Sequence, residues 1–157
     1  MEFRRAEDGD CQDLLVWRND PVTVRHSLTG AGVDAAAHRV WFARVLADSA
    51  RILLIAEDKG EKLGMVRFDR HDDGAWEVGI NLAPTARGRG LAAGVLAGAV
   101  AAAFPAAARP PLVAQVKHDN PASRRIFLRC GFVLADEVDG VGTFRLARSC
   151  GVGGRVP

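Results

Sequence analysis

The sequence has no tyrosine, few cysteines and no segment with the apolar character of a membrane span. The three cysteines, Cys11, Cys130 and Cys150, are scattered and form no Cys-x-x-Cys pair. This argues against a disulfide framework and predicts a reducing, cytoplasmic compartment. The longest apolar run, residues 91–108, consists mostly of alanine and glycine and contains Pro105. A span needs about 20 strongly apolar residues, so this run predicts a buried helix and no membrane contact.

The charge balance is also close to even. Among 157 residues there are 21 Lys and Arg against 19 Asp and Glu, which gives a net charge of +2. This surplus is too small to indicate nucleic-acid binding. Hydrophobic residues make up 48% of the chain, enough for one domain with its own core. We expect that domain over residues 1–148, a flexible tail over residues 149–157, and a monomer or homodimer.

Periodicity and turn signals predict the element order β, α, α, β, β, β, α, β, α, β, β. This alternation predicts an α/β fold in which a mixed sheet carries helices on both faces. Asp8 or Asp10 caps the first helix, Asp34 caps the second, and Asn120 caps the last one. Gly131 lies where a left-handed residue ends that last helix.

A glycine-rich turn stands between a predicted strand and the long apolar helix. Gly88 and Gly90 allow close approach of a ligand, since they carry no Cβ, and Arg87 and Arg89 add positive charge. Backbone N–H groups at such a helix start point outward, which predicts a phosphate or pyrophosphate site. The third glycine of a dinucleotide-binding fingerprint would fall on Ala93, and the Gly-Lys-Ser/Thr of a Walker loop is absent.

The turn resembles the acetyl-CoA loop of the GNAT superfamily of N-acetyltransferases, Gln/Arg-x-x-Gly-x-Gly/Ala, at Arg87, Gly90 and Ala92. A second stretch, residues 120–132, resembles the family's Asn-x-x-Ala/Ser-x-x-x-Tyr-x-x-x-Gly-Phe helix. The resemblance covers most of the chain. It implies the GNAT fold, acetyl-CoA as cofactor, no metal, and acetyl transfer to a primary amine.

The same resemblance implies which residues hold the cofactor. The pyrophosphate is expected on the N–H groups of residues 88–93, and Asn120 is expected to contact the pantetheine arm as well as to cap its helix. The full expected set is Ile80, Asn81, Leu82, Arg87, Gly88, Arg89, Gly90, Leu91, Ala92, Ala93, Asn120, Ser123 and Phe127.

Acetyl transfer requires a base that takes a proton from the amine. Glu77 is the first candidate, because some GNAT branches have a similar Glu-Ile-Gly strand before the loop. In other branches the base lies five residues before the helix-capping Asn, where this chain has Gln115, which cannot act as a base. His38 is the second catalytic candidate and His118 a weaker one. The alternative for Glu77 is an ordinary solvated carboxylate.

The chain departs from the family where many members have a tyrosine that protonates the leaving thiolate. Phe127 occupies that position. A thiol has a pKa of about 8.5, so the thiolate is already a fair leaving group. Ser123 or solvent could replace the acid, and a slow or degenerate enzyme also fits the substitution.

The acceptor side resembles a GNAT branch that acetylates amino sugars on nucleotide carriers, around Trp17-Arg18-Asn19-Asp20-Pro21 and around His38 to Phe42. The candidates for acceptor binding are Trp17, Arg18, Arg25, His26 and Trp41. Trp and Arg can stack on a base or hold a phosphate. Alternatively, the two tryptophans are core residues.

The sequence therefore predicts an N-acetyltransferase for a small-molecule amine, with a nucleotide-linked amino sugar as the candidate acceptor. Two alternatives are acetylation of a protein N-terminus and a non-catalytic CoA-binding module. A third is RNA binding through five arginines, which is disfavoured because the chain lacks a basic surplus and an aromatic ladder. These arginines are Arg87, Arg89, Arg124, Arg125 and Arg129.

Overall fold

Seven strands form one sheet in the computed structural model, which describes residues 1–147. The predicted tail and Cys150 lie outside the described residues. The strands are β1 (Glu2–Arg5), β2 (Arg51–Asp58), β3 (Glu61–Arg70), β4 (Trp76–Leu82), β5 (Leu112–Lys117), β6 (Val133–Val138) and β7 (Val141–Leu146). The helices are α1 (Cys11–Asn19), α2 (Pro21–His26), α3 (Ala35–Ala47), α4 (Ala92–Ala103) and α5 (Pro121–Arg129), with three short 3-10 turns at Asp8–Asp10, Pro84–Ala86 and Ala106–Ala108.

The strand order is β1-β2-β3-β4-β5-β7-β6, and every neighbouring pair is antiparallel except β4 and β5. These two parallel strands pair over their first two residues only. Beyond that point they diverge, so residues 78–82 of β4 and residues 114–117 of β5 border an opening in the sheet. We call this opening the strand gap. It lies at the carboxyl ends of both strands, where ligands commonly bind in α/β folds.

Side chains alternate between the two faces of the sheet along each strand. The face with Trp76 and Phe68 packs on the segment that ends α4, where both rings lie 5.2 Å from the ring of Phe104. The opposite face carries Asn81, which accepts a hydrogen bond from Thr23 of α2. We call this second side the α1–α3 face. Helices therefore lie on both faces, as predicted, and the predicted mixed sheet is confirmed.

The core fills both layers between the sheet and its helices. The largest fully buried apolar side chains are Phe68, Phe132, Phe144, Ile55, Leu63, Leu96, Leu112, Val66 and Val95.

Among the described residues, none of the helices combines the length and apolar character that a membrane span requires.

The predicted caps of the later helices are confirmed. Asp34 accepts a hydrogen bond from the N–H of Ala37, Asn120 accepts one from the N–H of Ser123, and Gly131 has a φ of 85°. The predicted capping of α1 by a side chain is wrong, since Asp10 makes no such bond.

The carboxylate of Asp10 instead bonds to Arg4 at 2.7 and 2.9 Å and pairs with Lys62 at 2.8 Å. Burial alone would raise the pKa of this carboxyl group, but the bonds to Arg4 and Lys62 hold it well below the usual range. A buried carboxylate needs such partners, and this need takes precedence over capping.

Candidate active site

The glycine-rich turn leaves the start of α4 without partners. No side chain caps this helix, and no N–H group of residues 88–94 donates to another backbone group within the described part of the chain. Gly88 and Gly90 both have a φ of 72°, and a Cβ at either position would meet nothing within 4 Å. The turn therefore combines free donors, a helix N-terminus and open space, which suits an anionic ligand.

Arg87 does not point into this open turn. Its guanidinium bonds to the carboxylate of Asp20, to Oγ1 of Thr23 at 2.8 Å and to the carbonyl of Leu82 at 3.3 Å. The bond from Arg87 lowers the pKa of Asp20. The expectation that this guanidinium supplies charge to the cofactor is therefore corrected: it clamps α2 to the end of β4. The other arginine of the turn, Arg89, lies on the surface 2.8 Å from Glu61.

Asn120 lies at the other side of the strand gap, just after β5. Its side-chain oxygen caps α5, while its amide nitrogen makes no hydrogen bond to residues 1–147. That nitrogen is available to a ligand in the gap. Helices α4 and α5 each follow one of the two gap strands at its carboxyl end, so both helix starts border the open end of the gap. The carboxyl end of α5 also packs on α4, since Sγ of Cys130 is 3.5 Å from the carbonyl of Ala93.

Phe127 and Trp17 are core residues in this structure. Phe127 is 2% exposed, and its ring lies 5.0 Å from Phe132 and 6.2 Å from Phe144. Trp17 is 8% exposed. The expectation that they contact cofactor and acceptor is corrected here, because close packing with other apolar side chains leaves almost no surface for a ligand.

On the α1–α3 face, there is free space beside the strand gap. Glu77, Gly79 and Asn81 of β4 point to this side, as do Gln115 and Lys117 of β5. A Cβ at Gly79 would meet nothing within 4 Å, so there is free space above the middle of β4. A glycine inside a strand often marks close approach of a ligand.

Helix α2 bridges the two edges of the gap on this face. Thr23 bonds to Asn81 of β4 at 3.1 Å, and Nζ of Lys117 of β5 donates to the carbonyl of Arg25 at 3.0 Å. The helix therefore forms a wall over the space above Gly79. The fold thus holds a cleft between α2 and the sheet.

Glu77 lies at the closed end of the gap, in the last residue pair that joins β4 to β5. Its side chain is 28% exposed, and Oε2 lies 3.1 Å from Nε2 of His71 in the turn before β4. His71 is 42% exposed and was not among the sequence candidates. The sequence feature that indicates His71 is its position six residues before Glu77, across a hairpin turn at Gly74. Asp69 of β3 lies directly opposite Glu77 and pairs with Arg67 at 2.6 Å and with Arg51 at 3.6 Å.

His38 of α3 is 5% exposed and faces the start of α1. Its Nδ1 is 3.6 Å from Sγ of Cys11, and its ring is 5.3 Å from that of Trp41. Burial lowers the pKa of His38, and the charge of Arg18 lowers it further. The imidazole is nearly closed to solvent, which leaves no room for an amine beside it, so the expectation that it acts as a catalytic base is corrected. Cζ of Arg67 lies over the ring of Trp41, 5.9 Å from the ring centroid.

The other acceptor candidates, Arg18, Arg25 and His26, lie on α1 and α2, and the carbonyl of Arg25 accepts a hydrogen bond from Nζ of Lys117. Nη2 of Arg18 donates to Oγ1 of Thr29 at 3.3 Å, while Nη1 is buried without a partner. Nδ1 of His26 is also buried without a partner. Among the described residues, no carboxylate forms a salt bridge with Arg18, Arg25, His26 or Lys117.

The sequence profile described as the Acetyltransferase (GNAT) domain matches residues 1–133. The chain belongs to the GNAT acetyltransferase family. A spermidine N-acetyltransferase from Vibrio cholerae, solved with CoA and spermine, superimposes with a TM-score of 0.82 at 17% identity, covering 94% of this chain and 95% of that one. A domain from Methanocaldococcus jannaschii gives 0.78 at 16% identity, covering 92% and 96%. Comparison with curated proteins gives no match.

Membership of the GNAT family makes this protein an N-acetyltransferase that uses acetyl-CoA. The residues of this chain fit that cofactor. Free N–H groups at residues 88–94 suit its pyrophosphate, and the unpaired edges of the strand gap suit an extended arm with amide groups. Structures at 17% identity support the fold and leave the acceptor to be argued from this chain's own cleft.

Proposed function

We propose that this GNAT protein transfers the acetyl group of acetyl-CoA to a primary amine of a small molecule, with Glu77 as the base. One observation carries the proposal: β4 leads from Glu77, at the closed end of the strand gap, to the uncapped turn at its open end. From Glu77 to Leu82 the strand rises about 17 Å. The anion site and the base therefore lie at opposite ends of one continuous channel.

The cofactor would occupy the whole channel. Its pyrophosphate accepts hydrogen bonds from the N–H groups of residues 88–93. The pantetheine arm lies in the strand gap, where backbone groups of β4 that face β5 have no strand partner, and the free amide of Asn120 donates to it. This arrangement brings the thioester towards Glu77.

The reaction removes two protons from the ammonium nitrogen and exchanges one bond. The carboxylate of Glu77 takes a proton from the ammonium group, and His71, which touches Glu77 and is exposed, passes that proton to solvent. The amine nitrogen then attacks the thioester carbon, a C–N bond forms, the nitrogen gives up its second proton to solvent and the C–S bond breaks. The thiolate of CoA leaves with the electron pair and is protonated by solvent, because Phe127 carries no proton and is buried.

For the acceptor, the finer proposal is a nucleotide-linked amino sugar. Its support is the resemblance at residues 17–27 and 38–42 to the corresponding GNAT branch. Arg18 and Arg25, which form no salt bridge within the described residues, also favour an acceptor with phosphate groups. The named neighbour that carries spermine in its structure makes polyamines the acceptor class to test against this one. A protein N-terminus stays an alternative.

Thiol release from acetyl-CoA across a panel of amines tests the proposal. Glu77→Gln should lower kcat by about 10- to 1,000-fold at neutral pH, since it removes the proton acceptor, while acetyl-CoA affinity stays nearly the same. Raising the pH should recover part of the loss, because more of the amine is already deprotonated. Glu2→Gln on β1 is the matched control. Full activity of Glu77→Gln at every pH would assign the base to solvent, and binding without turnover on any amine would favour a CoA-binding module.

A further inference from the structure

A chain of hydrogen bonds joins the start of the glycine-rich turn to the cleft. Arg87, the residue before Gly88, donates from Nη2 to Oγ1 of Thr23 on α2 at 2.8 Å. The hydroxyl of Thr23 in turn donates to Oδ1 of Asn81 on β4 at 3.1 Å. Arg87 is itself held by Asp20, whose carboxylate caps α2. The orientation of the Asn81 amide is therefore set by residues outside β4.

The direction of this chain follows from the chemistry of its members. A guanidinium group only donates hydrogen bonds, so the hydroxyl oxygen of Thr23 accepts from Arg87. The single proton of that hydroxyl is directed at Asn81, and the amide atom that faces Thr23 is therefore the oxygen. The NH2 group of Asn81 consequently faces away from Thr23. Its nitrogen makes no hydrogen bond to residues 1–147 and is accessible to solvent, so it is free to bind a ligand.

Asn81 borders the free space above Gly79. The two residues are two positions apart on β4, so they share a face of the sheet at a spacing of about 7 Å. A Cβ at Gly79 would meet nothing within 4 Å. Glu77 lies two positions further back on the same face. An acceptor whose amine lies beside Glu77 can therefore extend over Gly79 to the amide of Asn81.

Asn81 differs from the other polar side chains of β3 and β4 that border this space, because it is neutral. The others are charged or titratable, and each has an ionisable partner. These pairs are Glu77 with His71, and Asp69 with Arg67 and Arg51. Asn81, by contrast, has its oxygen bound and its NH2 group free. A neutral donor with a fixed orientation selects a hydrogen-bond acceptor in the ligand, not a charge.

We infer that Asn81 is a specificity-determining residue for the acceptor, and that its free NH2 group donates to an oxygen atom of that molecule. The inference rests on the proposed function and narrows its substrate class to amines that carry a hydroxyl, ether or carbonyl oxygen. An oxygen-free polyamine would leave this donor without a partner, which lowers its relative affinity. Thr23 is a positioning residue, since it holds the amide of Asn81 in one orientation.

The geometry also limits where that oxygen lies in the acceptor. The backbones at Glu77 and Asn81 are about 13 Å apart, at about 3.3 Å per residue. Both side chains and their hydrogen bonds to the acceptor cover part of this distance. The oxygen therefore lies roughly three to six bonds from the reacting nitrogen.

Two diamines that differ only in oxygen test this inference. One has an eight-carbon chain, and the other has the same chain with its third and sixth carbons replaced by ether oxygens. Both carry the same charges at nearly the same length. The quantity to measure is the ratio of their kcat/KM values from thiol release, or of their inhibition of the fastest amine of the panel if neither reacts. Wild type should prefer the ether by about fivefold to tenfold, which corresponds to one net hydrogen bond.

Variants of Asn81 measure the contribution of its NH2 group. Asn81→Asp keeps an oxygen for Thr23 and replaces the NH2 group by a second oxygen, so the preference for the ether should fall by about fivefold to tenfold. Asn81→Ala removes the donor without adding charge and should give the same loss. The ether oxygens also lower the pKa of the amines, but this effect is the same for every protein. The change in the ratio between proteins therefore reports the contact.

Thr23 offers a matched pair of variants that a merely structural role would not separate in this ratio. Thr23→Val removes the hydroxyl at nearly the same shape and lets the amide of Asn81 turn, so most of the preference for the ether should be lost. Thr23→Ser keeps the hydroxyl and should retain the preference. Calorimetric titration with acetyl-CoA and thermal melts check that each variant binds the cofactor and is folded.

The inference is overturned if wild type shows no preference for the ether, if Asn81→Asp changes both diamines equally, or if Thr23→Ser loses as much preference as Thr23→Val. Weaker acetyl-CoA binding by Asn81→Asp with an unchanged ratio would assign the amide to the cofactor and would also overturn it. In each of these cases the proposed acetyl transfer stands. Absence of turnover on every amine by a protein that binds acetyl-CoA would overturn the proposed function itself.

Discussion

Helices α4 and α5 both begin at the open end of the strand gap, yet only one of them has a side-chain cap at its first turn. Asn120 caps α5, and Pro121 fills its first position. Helix α4 has no side-chain cap, and its turn is held open by Gly88 and Gly90. A cap typically contributes about 1 kcal/mol, so α4 gives up stability that α5 keeps. The difference indicates that the partner of α4 comes from outside the chain, as expected for the pyrophosphate of acetyl-CoA.

The largest effect should come from closing the open turn of α4. Gly90→Val places a branched side chain in the path of the pyrophosphate, and we expect acetyl-CoA affinity to fall by about 100-fold or more, measured by calorimetric titration. Gly60→Val is the matched control, because Gly60 has a φ of 82° in a surface turn and its Cβ would also meet nothing within 4 Å. Both variants carry the same backbone strain. Unchanged affinity in folded Gly90→Val, or an equal loss in both proteins, would remove the distinction between the two helix starts.

Asn120 allows the two roles of the α5 start to be separated. Asn120→Ala should lower the free energy of unfolding by about 1 kcal/mol, because the cap is lost, and should also weaken acetyl-CoA binding. Asn120→Asp keeps a capping oxygen but loses the amide donor. We expect a nearly unchanged melting temperature and an affinity about tenfold lower. Equal affinities of Asn120→Asp and wild type would leave Asn120 as a cap alone.

The smallest effect concerns the ion pair between Arg87, in the turn before α4, and Asp20, at the start of α2. Arg87 lowers the pKa of Asp20, so the ionised carboxylate is favoured in the folded state. Its contribution to stability is present above the unfolded pKa of about 3.9 and is lost as the pH falls through the lower folded pKa. Asp20→Asn should therefore melt a few degrees below wild type at neutral pH, and the difference should shrink in acid.

Thermal melts between neutral pH and acid measure this difference. Arg87→Gln removes the partner and should reproduce the same pH-dependent part of it. A difference between wild type and Asp20→Asn that stays constant down to pH 2 would contradict the ion pair as its source.

Much of the fold could be predicted because its signals are local. The caps at Asp34 and Asn120, the left-handed Gly131 and the glycine turn each depend on a few neighbouring residues and their backbone preferences. The alternation of strands and helices was sufficient for the mixed sheet with helices on both faces. The family followed from two motifs with correct spacing, and residues 1–133 match its profile.

The errors have a common physical origin, since each concerns which way a side chain points after packing. Phe127 and His38 were expected in the site, and both are buried. Arg87 was expected to supply charge to the cofactor, and it pairs with Asp20, which is distant in sequence. His71 was not considered, although it contacts Glu77 across a hairpin.

Local sequence was thus enough to specify an anion-binding turn at a helix start, because glycine conformations and unpaired N–H groups arise within a few residues. The position of the cleft, and the way it runs along β4, depend on the arrangement of the whole sheet. Only the divergence of β4 from β5 separates Glu77 from Lys117, and only the packing of α2 across both strands encloses the space above Gly79. These relations join residues far apart in the chain, so they are set by tertiary packing.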